Sequence, residues 1–332
     1  MKKHFKLCVS LSLLISLSLV YSSAFNKEEK TLKKASFVPL WFPQAQFGGY
    51  YVAYEQGFYE KYGIDLDILT GGSERSATDF LGSHKVDFAV VWLSDAIQRR
   101  AKGMKLVNIA QIIQRSALMF IAKKSSRIKT PQDINGKKVG LWRGDFQLQP
   151  RAFFRKYNLD VKIIPQSLST DYINLFLMDA VDVTTAMWYN EYHFILNSGI
   201  NPDELIAFFF HDYGLNFPED GLYVLEDTLR KDPELCRGFV KASLEGWQYA
   251  FEHPDKALDI ILEYMRKVHV PANRVHQKWM LARMKDIIIP QSKSVPLGTL
   301  LREDYERGAQ MLKDNDLIIK IPLFESFYNK FK

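Results

Sequence analysis

The sequence is poor in the residues that carry covalent and metal chemistry. Its 332 residues hold two cysteines, Cys8 and Cys236, and seven scattered histidines. No CxxC or Cys/His spacing of the kind that holds zinc occurs, so no metal is expected. GxSxG, GxGxxG, P-loop and HExxH strings are also missing, which removes the usual support for hydrolase, dinucleotide, nucleotide-triphosphatase and zinc-protease readings. Eighteen glycines and thirteen prolines are spread without period, which excludes collagenous and low-complexity classes. Net charge is only +6, and Lys2, Lys3 and Lys6 lie in a leader without acids, leaving +3 for the rest. That bias is too small to argue for nucleic acid. What is present is core-forming material, 47% hydrophobic and 14% aromatic, in about two average domains of length.

The one long apolar stretch is at the start. Basic residues through Lys6, an apolar run interrupted only by serines from Leu7 to Val20, and Ser22-Ser23-Ala24 form an export signal expected to be cleaved after Ala24. The run is shorter than the roughly 20 apolar residues that span a bilayer. A periplasmic protein is therefore expected, keeping one cysteine, Cys236, for packing.

After a polar tether, strand and helix patterns alternate, the signature of a mostly parallel sheet covered by helices. Strands are read at Ser36–Leu40, Ile64–Leu69, Val86–Val91, Leu106–Ile113 and Ala117–Ala122, with helices at Ala45–Gln56 and from Ser94 to Ala101. A charged link, Lys123 to Arg127, precedes Thr130-Pro131, where a second unit begins. It repeats the rhythm with strands at Lys137–Trp142, Val161–Ile164 and Val183–Met187 and helices at Gln147–Tyr157 and Asp171–Leu177. Val86-Asp87-Phe88 ending at Trp92 echoes Val181-Asp182-Val183 ending at Trp188. From Pro233 onward the pattern is helical, with further segments opening at Pro254 and Pro271. Two α/β lobes without cofactor motifs point to a cleft binder, since ligands settle at strand carboxyl ends and between domains.

Aromatic and amide residues crowd two strand-to-helix junctions. In Trp41-Phe42-Pro43-Gln44-Ala45-Gln46-Phe47-Gly48-Gly49-Tyr50-Tyr51, a flat ring can stack on Trp41 or a tyrosine while Gln44 or Gln46 offers hydrogen bonds. Gly48-Gly49 inside a helix calls for a close approach of another backbone or a ligand. Gly71-Gly72-Ser73 is either a plain turn or an anion cradle. The second junction is Trp188-Tyr189-Asn190-Glu191-Tyr192. Two readings of Glu191 stay open: a helix N-terminal carboxylate facing solvent, or the acceptor of two N–H groups from an amidine-like ring edge.

The first junction, with Gly57-Phe58-Tyr59, Tyr62-Gly63-Ile64-Asp65-Leu66, Val86-Asp87-Phe88, Asn135-Gly136-Lys137-Lys138-Val139-Gly140 and Asn216-Phe217-Pro218-Glu219-Asp220-Gly221, resembles the family that unites thiamine-pyrimidine synthases with related periplasmic binding proteins. Within it the likeness is nearest to the binding proteins of ABC importers for thiamine-pyrimidine precursors. The resemblance implies a two-lobed type II periplasmic-binding α/β fold with the ligand cleft between lobes. The first lobe would be 36–128 with 222–332, the second 129–221, and the crossings near Lys129 and Gly221. It implies a monomer that hands an aminopyrimidine to an ABC permease without a cofactor. The site residues implied are Trp41, Gln44, Gln46, Tyr50, Trp92, Trp188, Tyr189, Asn190 and Glu191. The same family contains a synthase that consumes its own pyridoxal phosphate and histidine with iron, which is the alternative. Aligned on that enzyme, Val91 stands in place of its lysine, Asp95 in place of its reacting histidine, and no cysteine occurs at Asn216–Tyr223.

Overall fold

The computed structural model describes residues 31–72, 75–167, 173–290 and 295–331. The expected leader, its cleavage point, Ser73 of the glycine turn and Asp171 of the second-unit helix lie outside them. Among the described residues no helix is long and apolar enough to cross a membrane.

Ten strands form two five-stranded sheets. The first contains β1 (Lys33–Val38), β2 (Ile64–Ile68), β3 (Phe88–Trp92), β4 (Leu106–Gln111) and β10 (Asp220–Leu225), in the order β2-β1-β3-β10-β4. The second contains β5 (Leu118–Lys123), β6 (Lys138–Leu141), β7 (Lys162–Pro165), β8 (Val183–Met187) and β9 (Leu205–Phe209), in the order β7-β6-β8-β5-β9. In each sheet four strands run in one direction, and one inserted strand, β10 or β5, is antiparallel to both of its neighbours. The two sheets therefore share one topology, as the repeated Val-Asp pattern suggested. The repeat extends to a side chain: Asp87 accepts the Ser36 N–H and Asp182 accepts the Lys138 N–H, both at 2.9 Å. Each aspartate precedes its strand and pins the neighbouring parallel strand in register.

Exchange of the inserted strands places the crossings. The chain leaves the first sheet after β4 and pairs in the second from Leu118, opposite Met187 of β8. The first crossing thus precedes β5, not Lys129, because β5 is apolar on both faces and closes against β8 and β9 rather than against β4. The return precedes Asp220, where β10 begins. Thr130-Pro131 opens a short turn, Pro131–Ile134, closed by a Thr130/Asp133 capping box.

Helices cover both sheets: α1 (Gly48–Glu55), α2 (Phe58–Lys61), α3 (Ala77–Gly82), α4 (Leu93–Ala101), α5 (Leu148–Tyr157), α6 (Asn174–Leu177), α7 (Glu191–Asn197), α8 (Glu226–Lys231), α9 (Pro233–Glu252), α10 (Pro254–Lys267), α11 (Arg274–Ile288), α12 (Arg302–Asp314) and α13 (Phe324–Phe327). Prolines at the first position open α9 and α10, whereas α11 starts after Pro271, at the Asn273 cap. Helix α9 crosses α1 closely. A Cβ on Gly49 would lie 2.3 Å from the Trp247 ring, and one on Gly246 would lie 2.2 Å from the Gly49 carbonyl oxygen. The glycine pair in α1 thus admits a neighbouring helix, not a ligand. Cys236, on the same helix, is fully buried against this core.

Candidate functional site

A cavity of about 370 Å³ opens where the carboxyl ends of β1, β3, β6 and β8 face one another across the two lobes. The loop after β1 supplies Leu40, Trp41, Gln44 and Gln46; the start of α3, with Gly72 and Arg75, supplies Ser76, Ala77 and Thr78. Trp92 ends β3 and Asp95 opens α4. The second lobe contributes Trp142, Asp145 and Phe146 after β6, Met187 at the end of β8, and Tyr189, Asn190 and Glu191 after it. Gly71 draws two of these loops together, since a Cβ there would lie 2.2 Å from the Pro39 carbonyl oxygen and 2.7 Å from that of Trp41.

Of the residues named from sequence, Trp41, Gln44, Gln46, Trp92, Tyr189, Asn190 and Glu191 line this cavity. Tyr50 does not: helical phase turns it into the core, its ring 5.0 Å from Phe37 and 5.8 Å from Trp247. Trp188 also lies off the wall, packed edge-on against Phe209 at 5.4 Å and under the Arg283 guanidinium at 4.6 Å. Its place is taken by Trp142 and Phe146, 5.2 Å apart, with Phe146 4.7 Å from Trp92 across the lobes. The sequence signal for these two was present, an aromatic pair at the carboxyl end of a strand, as at the other junctions.

Among the described residues, three carboxylates face the cavity with one guanidinium, Arg75. Asp95 receives the Thr78 hydroxyl at 2.5 Å and pairs with Arg99 at 3.2 Å. Asp145 takes the Gln98 amide at 2.9 Å, a bond between lobes. Glu191 differs. It is buried, 7% exposed, and among the described residues its oxygens accept neutral donors, the Met187 N–H at 2.9 Å and the Asn190 amide at 2.7 Å. Burial pushes its carboxyl above the usual range, while the N–H groups of Met187 and of Glu191 itself and the Asn190 amide pull the other way. The solvent-facing reading of Glu191 therefore fails.

Behind the wall, Gln44 donates to Gln46 at 2.6 Å and Gln46 donates to Asp220 at 2.8 Å. The neighbouring Glu219 accepts the Ala117 N–H at 2.7 Å, joining one crossing segment to the other. Burial, then the adjacent Asp220 charge, push Glu219 up to about 8; burial pushes Asp220 up to about 7. Burial and the Glu219, Asp220 and Glu191 charges hold the Tyr189 hydroxyl far above its ordinary value. Among the described residues no cluster of three or more His, Cys, Asp or Glu is arranged to hold a metal.

Residues 44–257 match the family model described as NMT1/THI5 like. The chain is 24% identical over 332 residues to the formylaminopyrimidine-binding protein of Halalkalibacterium halodurans, covering 95% of this chain and 94% of that one. It is 25% identical to the riboflavin-binding protein RibY of Chloroflexus aurantiacus, over 71% of this chain and 68% of that one. It is 27% identical to the 4-amino-5-hydroxymethyl-2-methylpyrimidine phosphate synthase of Legionella pneumophila, over 66% and 70%. Its fold is that of the periplasmic aliphatic sulphonate binding protein SsuA of Escherichia coli, with a TM-score of 0.72 at 14% identity over 90% and 94% of the two chains. With two sheets of one topology around a cleft and the family model spanning most of both, the chain belongs to the NMT1/THI5-like family, on a periplasmic-binding-protein fold.

Proposed function

We propose that the chain is the exported substrate-binding subunit of an ABC importer and captures a thiamine pyrimidine precursor, a hydroxymethyl- or formylaminomethyl-aminopyrimidine. The observation that carries this reading is Glu191, a buried carboxylate on an aromatic wall whose described partners are all neutral. A protonated aminopyrimidine presents a ring N–H beside an exocyclic N–H, a cationic edge that matches a carboxylate in a bidentate pair. Trp41, Trp92, Trp142 and Phe146 offer faces and edges for the ring. Binding would favour the closed arrangement of the lobes by population shift, the form a permease recognises. The formylaminopyrimidine-binding relative, aligned over nearly the whole of both chains, supports the same ligand class.

The synthase relatives raise the enzyme reading, and the cavity residues argue against it. Val91, where the resemblance places the lysine, is fully buried within β3, and Asp95 occupies the histidine position. The described lining contains no lysine, histidine or cysteine to hold pyridoxal phosphate or furnish ring atoms. A thermal-melting panel separates the classes. At a hundredfold excess over Kd a ligand adds about 2.7 kcal/mol to stability. Stabilisation by hydroxymethyl- and formylaminomethyl-aminopyrimidine, and not by riboflavin or pyridoxal phosphate, is expected. A response to pyridoxal phosphate alone would overturn the importer reading.

A further inference from the structure

The lobes also meet beside the cavity, through two histidines. His193 lies on α7 in the second lobe, and His276 lies on α11, which is tied to the Ala45–Phe47 turn of the first lobe through the Gln277 side chain and the Ala45 N–H, 2.7 Å apart. Their Nδ1 atoms are 2.9 Å apart. His276 Nε2 is 2.9 Å from Asn190 Oδ1, and Asn190 Nδ2 donates to Glu191 Oε1 at 2.7 Å. These contacts set the direction of the hydrogens from Glu191 through Asn190 to His276. The Glu191 carboxylate accepts, so the Asn190 amide nitrogen faces it and Asn190 Oδ1 faces His276. His276 Nε2 then carries the hydrogen, its Nδ1 is bare, and His193 Nδ1 donates to it, with the Asn197 side-chain amide, 3.2 Å from that same nitrogen, turned to present its oxygen. Flat groups enclose both rings. His193 stacks on Trp279 at 5.0 Å and His276 on Phe194 at 4.3 Å, while the Trp279 indole donates to the Trp188 carbonyl at 3.0 Å.

We propose that His193 and His276 are positioning residues for Glu191, orienting its carboxylate through Asn190 only when the lobes are closed and the His276 imidazole is neutral. The proposal rests on Glu191 facing the ligand. Protonation of His276 fills its bare Nδ1, so that hydrogens on both Nδ1 atoms face each other and the bond is replaced by a repulsion. The titratable groups around the pair are few. On α7 they are Glu191, reached through Asn190, and Tyr192, whose ring is 6.0 Å from Trp279. On α11, Arg283 sits beyond Trp279, 4.7 Å from its ring, and Arg274 is engaged by Asp255 and Asp259 of α10. Neither β8 nor the Ala45–Phe47 turn carries a titratable residue.

Burial, then the His193 charge, hold His276 down at about 4, and burial lowers His193. A depressed histidine favours the neutral, clasped state, so the clasp has full strength above the ordinary value near 6.5. It is lost as pH falls from there through about 4.

The test uses the full chain labelled with nitrogen-15 histidine, first without ligand. A nitrogen–nitrogen scalar coupling between the His193 and His276 Nδ1 atoms is expected at pH 7.5 and should disappear on acidification to pH 4. Small-angle scattering should show the radius growing over the same range in the wild type and staying constant in His276→Gln, whose amide replaces the Nε2 donor and does not titrate. With formylaminomethyl-aminopyrimidine as probe, wild-type affinity should fall at least tenfold between pH 7 and 4.5. His276→Gln should bind within about threefold of wild type at pH 7 with a fall at least threefold smaller. A missing coupling at pH 7.5, or a His276→Gln pH profile parallel to the wild type, would overturn the proposal. If the probe does not bind at all, the ligand reading fails, and the coupling and scattering still decide the clasp.

Discussion

The crossing of α9 over α1 sets up a sharp test, because two glycines on one helix face different surroundings. In α9, a Cβ on Gly246 would lie 2.2 Å from the Gly49 carbonyl oxygen, 2.6 Å from the Ala53 Cβ and 2.9 Å from the Ala53 nitrogen. None of these atoms can rotate away; the helices must separate by about 1 Å to reach ordinary contact. Overpacking of this kind costs about 1–3 kcal/mol, against a helix-propensity gain of about 1 kcal/mol for alanine over glycine. Gly246→Ala should therefore be destabilising, by up to about 2 kcal/mol. Gly238, two turns earlier, is the control: its Cβ would meet Tyr62 at 3.4 Å and Ile64 at 3.5 Å, ordinary van der Waals contact. Gly238→Ala should keep the propensity gain and raise stability by up to about 1 kcal/mol. Urea midpoints of the two variants and the wild type, at equal slope, read both values. The same substitution should shift the midpoint in opposite directions. A Gly246→Ala protein at least as stable as wild type would refute the close crossing, and equal losses in both variants would refute its assignment to these atoms. The crossing matters for the site because α1 directly follows the loop that carries Trp41, Gln44 and Gln46.

Glu219→Gln should flatten the pH dependence of stability. A carboxyl raised from 4.5 to about 8 stabilises the fold fully below its ordinary value and loses that contribution as pH rises through about 8, so urea midpoints of the wild type should fall between pH 5 and 8 more steeply than those of the variant. Tyr50→Phe should be neutral or stabilising in the same assay, since the buried Tyr50 hydroxyl has no partner at hydrogen-bond geometry among the described residues; a loss above about 1 kcal/mol would contradict the core placement. Cys236 should resist thiol reagents in the native protein and react in urea, because burial pushes its thiol up to about 12; rapid native labelling would contradict its burial.

The alternation of strands and helices was legible because hydrophobic period is a local property, and Val183–Met187 was placed to the residue. Sheet membership is not local. The run after β4 reads equally well as a strand of either sheet, and only pairing with β8 and β9 assigns β5 to the second. The same limit separates the aromatics. Trp41 and Trp92 were legible because they end strands, but Tyr50 faces inward owing to the phase of a helix packed on Trp247. Trp142 and Phe146 shared the junction signal and were overshadowed by the denser Trp188-Tyr189 string. The His193–His276 pair, 83 residues apart, carries no sequence signal at all.

The central claim is that Glu191 holds the cationic edge of an aminopyrimidine. Titration calorimetry of wild type and Glu191→Gln with formylaminomethyl-aminopyrimidine at pH 7 tests it most directly. Glutamine keeps the shape and removes the charge, so affinity should fall at least tenfold, while the melting temperature of the free protein should move little, since relief of desolvation offsets the acceptor lost to Met187 or Asn190. Equal affinity in the two proteins would contradict the account and remove Glu191 from the site.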